Sequence, residues 1–578
     1  MPRKLSLEER EKVREAIQTQ LGDDKSPREF QVEMVVAQEE MRDAMCHAAT
    51  GLGKTLIAAA PFALERNKGR VTIMVSPLIA LQNEMVETFK HEYGVSAVAI
   101  NSSRDCSFEV MESIVSGKFN IVLISPEKLL TEKFITNVLK NKEFEKRIYA
   151  LFVDEAHCVS HWGAEFRKAY GRLGAIRAFL PRNTPVVAVS ASLTPRVAKN
   201  VRTVLQFRPD HLFLNRGNNR RNVSFMVRSI HNKADSYTDL DFIVPSNLTI
   251  RTDIKKSWIY ADNIHDGADI VDHIRALLPP ELRDTVRPYN AMFGNEYRAK
   301  AMQEFRDGYV RILVCTDAAG MGCNIPDIDV VVQWKLPEKF SSFIQRAGRA
   351  ARGEGRTGLA ILLAEPSAFS VDTSQDLEDS NEVGSKTAKA THKKNHPSSA
   401  KSKKPKKLRL PKEFAELHGR YRGQRNGARD GLPQMLVDNV NIQDGTEGMH
   451  AFVQTVTCRR KVQQAVFDNP AIEDLAGPCC DICDPSLLDR ARPGVGPKTV
   501  RNPKLPDSDP HPSIYASLLR WREDVRQRDF ANTFVTGSSI LPTEAANLLA
   551  SLGSFTMKII EGHLSKRWYY WEKYGEEL

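Results

Sequence analysis

Long apolar runs are missing from this chain. None approaches the ~18 residues that a membrane helix needs, so no membrane partner is expected. The first residues, Met1-Pro2-Arg3-Lys4 followed by Glu8, Glu9, Arg10 and Glu11, lack the apolar centre of a secretory signal. Cysteine is sparse, nine in 578 residues, and five are scattered (Cys46, Cys106, Cys158, Cys315, Cys323). That pattern suits buried thiols in a reducing compartment. Excess charge is absent from most of the chain. The net charge is +10, yet residues 386–409 alone hold nine Lys and Arg409 with no Asp or Glu. The remainder therefore sums to about zero, so any nucleic-acid groove must be a local arrangement. Hydrophobic residues at 41% and charged residues at 27% exclude a wholly disordered chain, a collagen and a coiled-coil rod.

What is present is alternation. Candidate strands at Ala44–His47, Val71–Ser76, Val95–Ile100, Ile121–Ile124, Tyr149–Val153 and Val186–Ser190 alternate with helix-like stretches. Such unbroken Val/Ile runs suit strands buried on both faces of a parallel sheet. The pattern resumes at Ser257–Ala261, Arg311–Cys315, Val330–Trp334 and Gly358–Leu363. The expected fold class is α/β. An N-terminal helix at 1–26 precedes lobes at 27–215 and 216–365. A disordered basic insertion follows at 366–410, then a helical cysteine-bearing subdomain at 411–484. A proline-rich linker at 485–510 and a small helical module at 511–578 complete the chain.

Three motifs carry chemistry. Ala48-Ala49-Thr50-Gly51-Leu52-Gly53-Lys54-Thr55 lies between a strand and a helix and is a Walker A loop with Ala in place of the first Gly. Small residues (Thr50, Gly51, Gly53) let backbone N–H groups wrap phosphates. Lys54 pairs with the outer phosphates, and Thr55 ligates Mg2+. Asp154-Glu155-Ala156-His157 ends an apolar strand, as in Walker B. Asp154 is placed to hold Mg2+ and Glu155 to polarise the attacking water. Gln345-Arg346-Ala347-Gly348-Arg349-Ala350-Ala351-Arg352 spaces Arg349 and Arg352 three apart, on one helical face. Two guanidiniums there can stabilise charge on a transferring phosphoryl group. ATP is the expected ligand.

In this order the motifs resemble a superfamily 2 helicase with a DEAH box, and more specifically a RecQ-family ATP-dependent DNA helicase, over most of residues 27–484. The resemblance implies two RecA-like lobes, with Gln345, Arg349 and Arg352 joining Lys54, Asp154 and Glu155 as catalytic groups. It implies that Gln31 reads the adenine edge and Arg28 stacks near the base. His157 to Arg167 resembles the family's aromatic-rich loop, in which Trp162 and Phe166 stack on exposed bases and Arg167 contacts DNA. Ser190-Ala191-Ser192 resembles the motif linking hydrolysis to unwinding, so Ser190 and Ser192 join the DNA-binding set. Expected partners are single-stranded and forked DNA, and expected translocation is 3′ to 5′. The chain departs from the family pattern at Asn324, usually Asp, and at Asn290-Ala291-Met292, usually His-Ala-Gly. An RNA-directed helicase and an ATP-hydrolysing DNA scaffold remain as alternatives.

Cys458-Arg459-Arg460 and Cys479-Cys480-Asp481-Ile482-Cys483 supply four thiols, the number that tetrahedral Zn2+ takes. The family's zinc subdomain pairs a similar Cys-Arg-Arg helix with a three-cysteine knuckle. Its usual spacing would put a Cys at Gly477, whereas here Cys479 and Cys480 are adjacent. Lys403-Lys404-Pro405-Lys406-Lys407 reads as a nuclear-import signal or a nucleic-acid tether. The last 68 residues (511–578) faintly resemble the accessory domain called HRDC. Between Asp484 and that module there is no room for a winged helix.

Overall fold

The computed structural model describes residues 4–77, 79–101, 107–161, 168–317, 325–372, 410–432, 445–471, 474–496, 509–531, 536–552, 556–565 and 568–578. They form two compact units, Met1–Gly496 and Pro497–Leu578.

The first unit contains two parallel sheets. Sheet one has strands β1 (Ala44–Ala48), β2 (Val71–Val75), β3 (Ala97–Ile100), β4 (Ile121–Ile124), β5 (Ile148–Val153), β6 (Val186–Ser190) and β7 (Leu212–Gly217). Their order is β3-β4-β2-β5-β6-β1-β7. Sheet two has β8 (Val223–Ser229), β9 (Ser257–Ala261), β10 (Val286–Tyr289), β11 (Ile312–Cys315), β12 (Val330–Trp334) and β13 (Gly358–Ala364), in the order β10-β11-β9-β12-β13-β8. In β1, β2, β4, β5 and β6 every residue is buried, as expected of a parallel sheet covered on both faces. Ligands in such sheets bind beyond the carboxyl ends of the strands. β5, β6 and β1 are neighbours, and from those ends emerge Asp154, Ser190 and the Walker A loop.

All ten candidate strands form. Three more were not anticipated: β7, β8 and β10. Each lies at a sheet edge and breaks its apolar run, although every residue of β8 is buried, Arg228 on Asp239. β7 carries Asn215 and Arg216, β8 carries Arg228, and β10 carries Pro288, a residue that sheets confine largely to edges. β7 closes sheet one at Gly217, two residues beyond the expected boundary at 215.

The N-terminal helix Leu7–Leu21 starts on a capping box between Ser6 and Glu9. It buries Val13 and Ile17 against Val32, Val35 and Val36 of lobe one. Residues 410–496 build onto lobe two rather than standing apart. Ala415, Met449, Phe452 and Val462 share one core with β8, β9 and β11. The expected linker at 485–510 is corrected at its start. Pro485–Ala491 forms a 3-10 helix that buries Leu487, Leu488 and Ala491 in lobe two's other core. The expected insertion at 366–410 also begins with packed structure: Pro366–Ser370 is helical and buries Ala368 and Phe369. The Leu410 amide donates to Ser370 O at 2.7 Å, so these two residues lie side by side. The intervening residues, including 403–407, lie outside the described ones.

The second unit is helical: Pro512–Asp529, Gly537–Ile540, Thr543–Ser551, Met557–Leu564 and Trp571–Tyr574. Its core joins Val525, Ile540, Leu549 and Trp568, with the Trp521 ring edge-on to Trp568 and Tyr574. Among the described residues no helix is long and apolar enough to cross a membrane.

Candidate active site

The phosphate loop leaves the buried end of β1. Gly51 and Gly53 both have left-handed backbones, φ +82° and +74°. L-residues with side chains rarely adopt that region, so the glycines shape the loop. A Cβ on Gly51 would meet nothing within 4 Å, which leaves the cradle open on that side. A Cβ on Gly53 would stand 2.7 Å from Gln31 Nε2. Gln31 is tied to the loop: Nε2 donates to Gly53 O at 2.9 Å and Leu52 O at 3.2 Å, while Oε1 accepts from Arg28 N at 2.8 Å. The two residues expected at the base are thus brought to the loop. Lys54 Nζ curls back onto Ala48 O and Ala49 O, both at 3.0 Å. Burial pushes its pKa below the ordinary lysine value, against the pull of Glu155 and Asp154.

Asp154 and Glu155 follow β5. Burial, then the charge of Glu155, raises Asp154 to about 7. Burial opposes ionisation of Glu155 as well, but His157 beside it, then Lys54 and Arg349, hold it down. Glu155 also has φ +46°, a costly backbone for a side-chain-bearing residue and one that collects at functional sites. His157 Nδ1 lies 3.3 Å from Glu155 Oε2 and 2.8 Å from Ser190 Oγ. Ser190 Oγ in turn accepts from Ser192 N at 3.1 Å. A short polar chain therefore runs from the carboxylates to the end of β6. Ser190 and Ser192 are 0% and 2% exposed. Expected among the DNA-binding residues, they here offer no surface to a strand and position His157 instead.

Lobe two closes the cleft. The helix Phe340–Ala347 carries half-buried Gln345 and ends before Gly348, so Arg349 and Arg352 follow it in a turn rather than on one helical face as expected. Thr50 Oγ1 donates to Gly348 O at 3.0 Å, joining the phosphate loop to the arginine motif. The approach requires glycine, since a Cβ at 348 would stand 2.6 Å from Thr50 Oγ1. Arg349 is 3% exposed, and its charge helps keep Glu155 ionised. Arg352 acts on Lys54, opposing its positive charge, while its Nε donates to Gly348 O at 3.2 Å. The charge of Arg349 is thus felt at Glu155 and that of Arg352 at Lys54, both in lobe one.

Residues outside the expected catalytic set hold this face in place. Arg346 is buried and donates to Asp317 (2.9 and 2.8 Å), Asp262 (2.6 Å) and Gln333 (2.5 Å), which gathers the ends of β11, β9 and β12. It lies over the Tyr260 ring at 5.1 Å. Its signal was its place inside the Gln345–Arg352 run. Arg220, between the lobes, donates to Ala351 O at 2.7 Å and Gly348 O at 3.2 Å. Asn218 Nδ2 donates to Ala191 O at 3.0 Å, and Asn218 Oδ1 accepts from Gln463 (3.0 Å) and Asn469 (2.9 Å). The serine motif of lobe one is thereby linked to the helix Arg459–Phe467, which Cys458 precedes, and to Asn469 just beyond it. No single-sequence signal marks Asn218.

The four sulfurs of Cys458, Cys479, Cys480 and Cys483 lie within 4.8 Å of one another. Cys458 to Cys479 is 3.6 Å and Cys480 to Cys483 is 3.5 Å. Four sulfurs at about 2.3 Å from a tetrahedral Zn2+ stand about 3.8 Å apart, so the donor set fits that ion. The adjacent pair Cys479 and Cys480 both converge, despite the unusual spacing. The knuckle runs beside β8: Phe225 N donates to Cys479 O at 3.4 Å and Asp481 N to Phe225 O at 2.9 Å. Asp481, 0% exposed, receives Arg459 and Arg422, each at 2.5 Å. The arginine after Cys458 thus anchors the knuckle.

Trp162, Phe166 and Arg167 lie outside the described residues, as does Asn324. The phosphate loop, carboxylates and arginines have the donor chemistry of a nucleoside triphosphate and Mg2+ site: an open glycine cradle, Lys54, the Thr55 hydroxyl and Asp154.

The DEAD/DEAH box helicase family matches residues 28–201, and the helicase conserved C-terminal domain matches residues 250–354. The ATP-dependent DNA helicase RecQ of Haemophilus influenzae is 26% identical over 344 residues, covering 59% of this chain and 52% of that protein. The probable ATP-dependent DNA helicase RecS of Bacillus subtilis is 28% identical over 331 residues, covering 57% and 62%. A putative ATP-dependent RNA helicase of Acanthamoeba polyphaga mimivirus is 28% identical over 327 residues, covering 56% and 55%. The chain spans about half the length of the RecQ relatives it matches.

Proposed function

We propose that this chain, RecQ-like and carrying both helicase domains of superfamily 2, is an ATP-dependent DNA helicase that moves 3′ to 5′ along single-stranded DNA. One observation carries the reading: the arginine-bearing turn of lobe two meets the phosphate loop of lobe one, where Thr50 Oγ1 donates to Gly348 O at 3.0 Å. Lys54 and the loop amides would grip the phosphates, with Thr55 and Asp154 as magnesium ligands and Gln31 and Arg28 at the base. Bound magnesium would supply charge neutralisation between the phosphates. Glu155 would polarise the attacking water, and its ionised state suits that role. Arg349 and Arg352 would stabilise the charge on the phosphoryl group in flight. The chain of contacts from Glu155 through His157 to Ser190 and Ser192, and through Ala191 to Asn218, gives the nucleotide site a physical route to the rest of the fold. Trp162, Phe166 and Arg167 would stack on and hold the strand.

The decisive assay is a forked duplex with a 3′ tail. Strand release with ATP is expected, together with hydrolysis stimulated more by single-stranded DNA than by RNA. Stronger stimulation by RNA would favour an RNA-directed enzyme. Hydrolysis without strand release would select a DNA-bound scaffold, a reading favoured by the short stretch between Cys483 and the helix starting at Pro512.

The cysteine cluster is proposed as a structural zinc site. Purified protein should contain stoichiometric zinc by plasma mass spectrometry, and Cys480→Ser should lose most of it. Metal-free wild-type protein that folds normally would refute the site. The lysine run at 403–407 supports a nuclear location.

A further inference from the structure

We infer that the loop from His418 to Gly431 is an accessory binding site for the phosphodiester backbone of nucleic acid. The segment reads His418-Gly419-Arg420-Tyr421-Arg422-Gly423-Gln424-Arg425-Asn426-Gly427-Ala428-Arg429-Asp430-Gly431. It holds four arginines, no lysine and one acid.

The loop has a rigid base. Arg422 is buried on Asp481 and donates through Nε to Asp430 O at 2.8 Å. Gly423 N donates to Asp430 Oδ1 at 2.8 Å, and Arg492 binds the same carboxylate at 2.5 Å. His231, just past β8, bonds Arg422 O at 2.9 Å. Gly419, Gly423 and Gly427 all have left-handed backbones, which permit these tight reversals. The loop's one acid is thus consumed at its neck.

The other three arginines take no part in that base. Arg425 and Arg429 are exposed and Arg420 is half-buried. Among the described residues none of the three has a carboxylate partner. Instead the guanidiniums of Arg420 and Arg429 both sit on the Tyr421 ring, at 5.4 and 4.8 Å. Bringing two cations to one ring costs mutual repulsion, which the ring's negative face offsets only in part. Such an arrangement is completed by an anion. Arginine rather than lysine matches phosphate in geometry, through its planar fork. Outside the lysine-rich stretch at 386–409 the chain sums to about zero charge, so this concentration is local. Backbone contacts of this kind add grip without reading sequence.

The inference rests on the nucleic-acid reading above, and the test separates the two. Full-length wild type and the triple variant R420Q/R425Q/R429Q are compared by fluorescence anisotropy on a forked duplex, from about 50 to about 200 mM KCl. The slope of log affinity against log salt should become shallower by about 2 to 3, since each backbone contact contributes about 0.9 on duplex DNA. ATP hydrolysis without DNA should be unchanged. The matching triple Arg→Lys variant should keep most of the wild-type slope. If wild type binds no DNA, both readings fall. If wild type binds and the Gln variant keeps its slope, this inference alone falls. It also falls if the Lys variant loses slope and basal hydrolysis together, because the loop then acts on folding.

Discussion

Replacing Arg349 with alanine should slow ATP turnover by on the order of 10³-fold, the lower end of what an arginine contributes to phosphoryl transfer. The side chain is almost fully buried, it belongs to lobe two, and its charge is felt at Glu155 of lobe one. It can therefore act on the phosphoryl group only when the lobes are together. Nucleotide affinity should change little, because the phosphate loop and Gln31 lie wholly in lobe one. Lys54→Ala should differ, losing both turnover and affinity. Steady-state rates with and without single-stranded DNA, plus direct nucleotide titration, distinguish the two patterns. An Arg349→Ala protein with wild-type turnover would mean that the two lobes do not share one reaction centre.

The second large effect concerns stability. Asp481→Ala leaves two buried guanidiniums, Arg422 and Arg459, without their shared carboxylate. Breaking a buried ion pair from one side costs about 3–5 kcal/mol, because the remaining charge stays desolvated. The variant should unfold at clearly lower urea concentration, with the cysteine knuckle affected first because Asp481 lies inside it. Asp481→Asn should be intermediate, since it keeps one acceptor oxygen and loses the charge and the second acceptor. An unchanged unfolding midpoint for Asp481→Ala would show that the Arg–Asp–Arg cluster contributes nothing net.

Chemistry written in contiguous residues was the most legible part of this molecule. The glycine loop and the Asp154-Glu155 pair each sit at one strand end, and the Gln345–Arg352 run spans one helix end and the turn after it, so spacing alone identifies them. Interior strands were legible for a related reason: burial on both faces demands unbroken Val and Ile. β7, β8 and β10 interrupt such runs, with Asn215 and Arg216, with Ser224, Arg228 and Ser229, and with Arg287 and Pro288, and were missed although β8 is buried throughout. The linker was misread because prolines suggested a break, while Leu487, Leu488 and Ala491 carried the quieter signal of a buried face. Ser190 and Ser192 illustrate another limit. A hydroxyl fits a strand-facing role and an internal relay equally well, and only burial separates them. Contacts between distant residues, such as Arg346 with Asp262 and Asp317, depend on topology that no local pattern contains.

The seal between phosphate loop and arginine motif is made by a threonine hydroxyl and a backbone carbonyl, both uncharged. Raising ionic strength strips polyanions from cationic surfaces but barely touches such a bond. Salt should therefore pull apart two halves of the working cycle that are normally inseparable. A concentrated-KCl solution would leave an engine still able to shut its jaws on fuel while idling off its track.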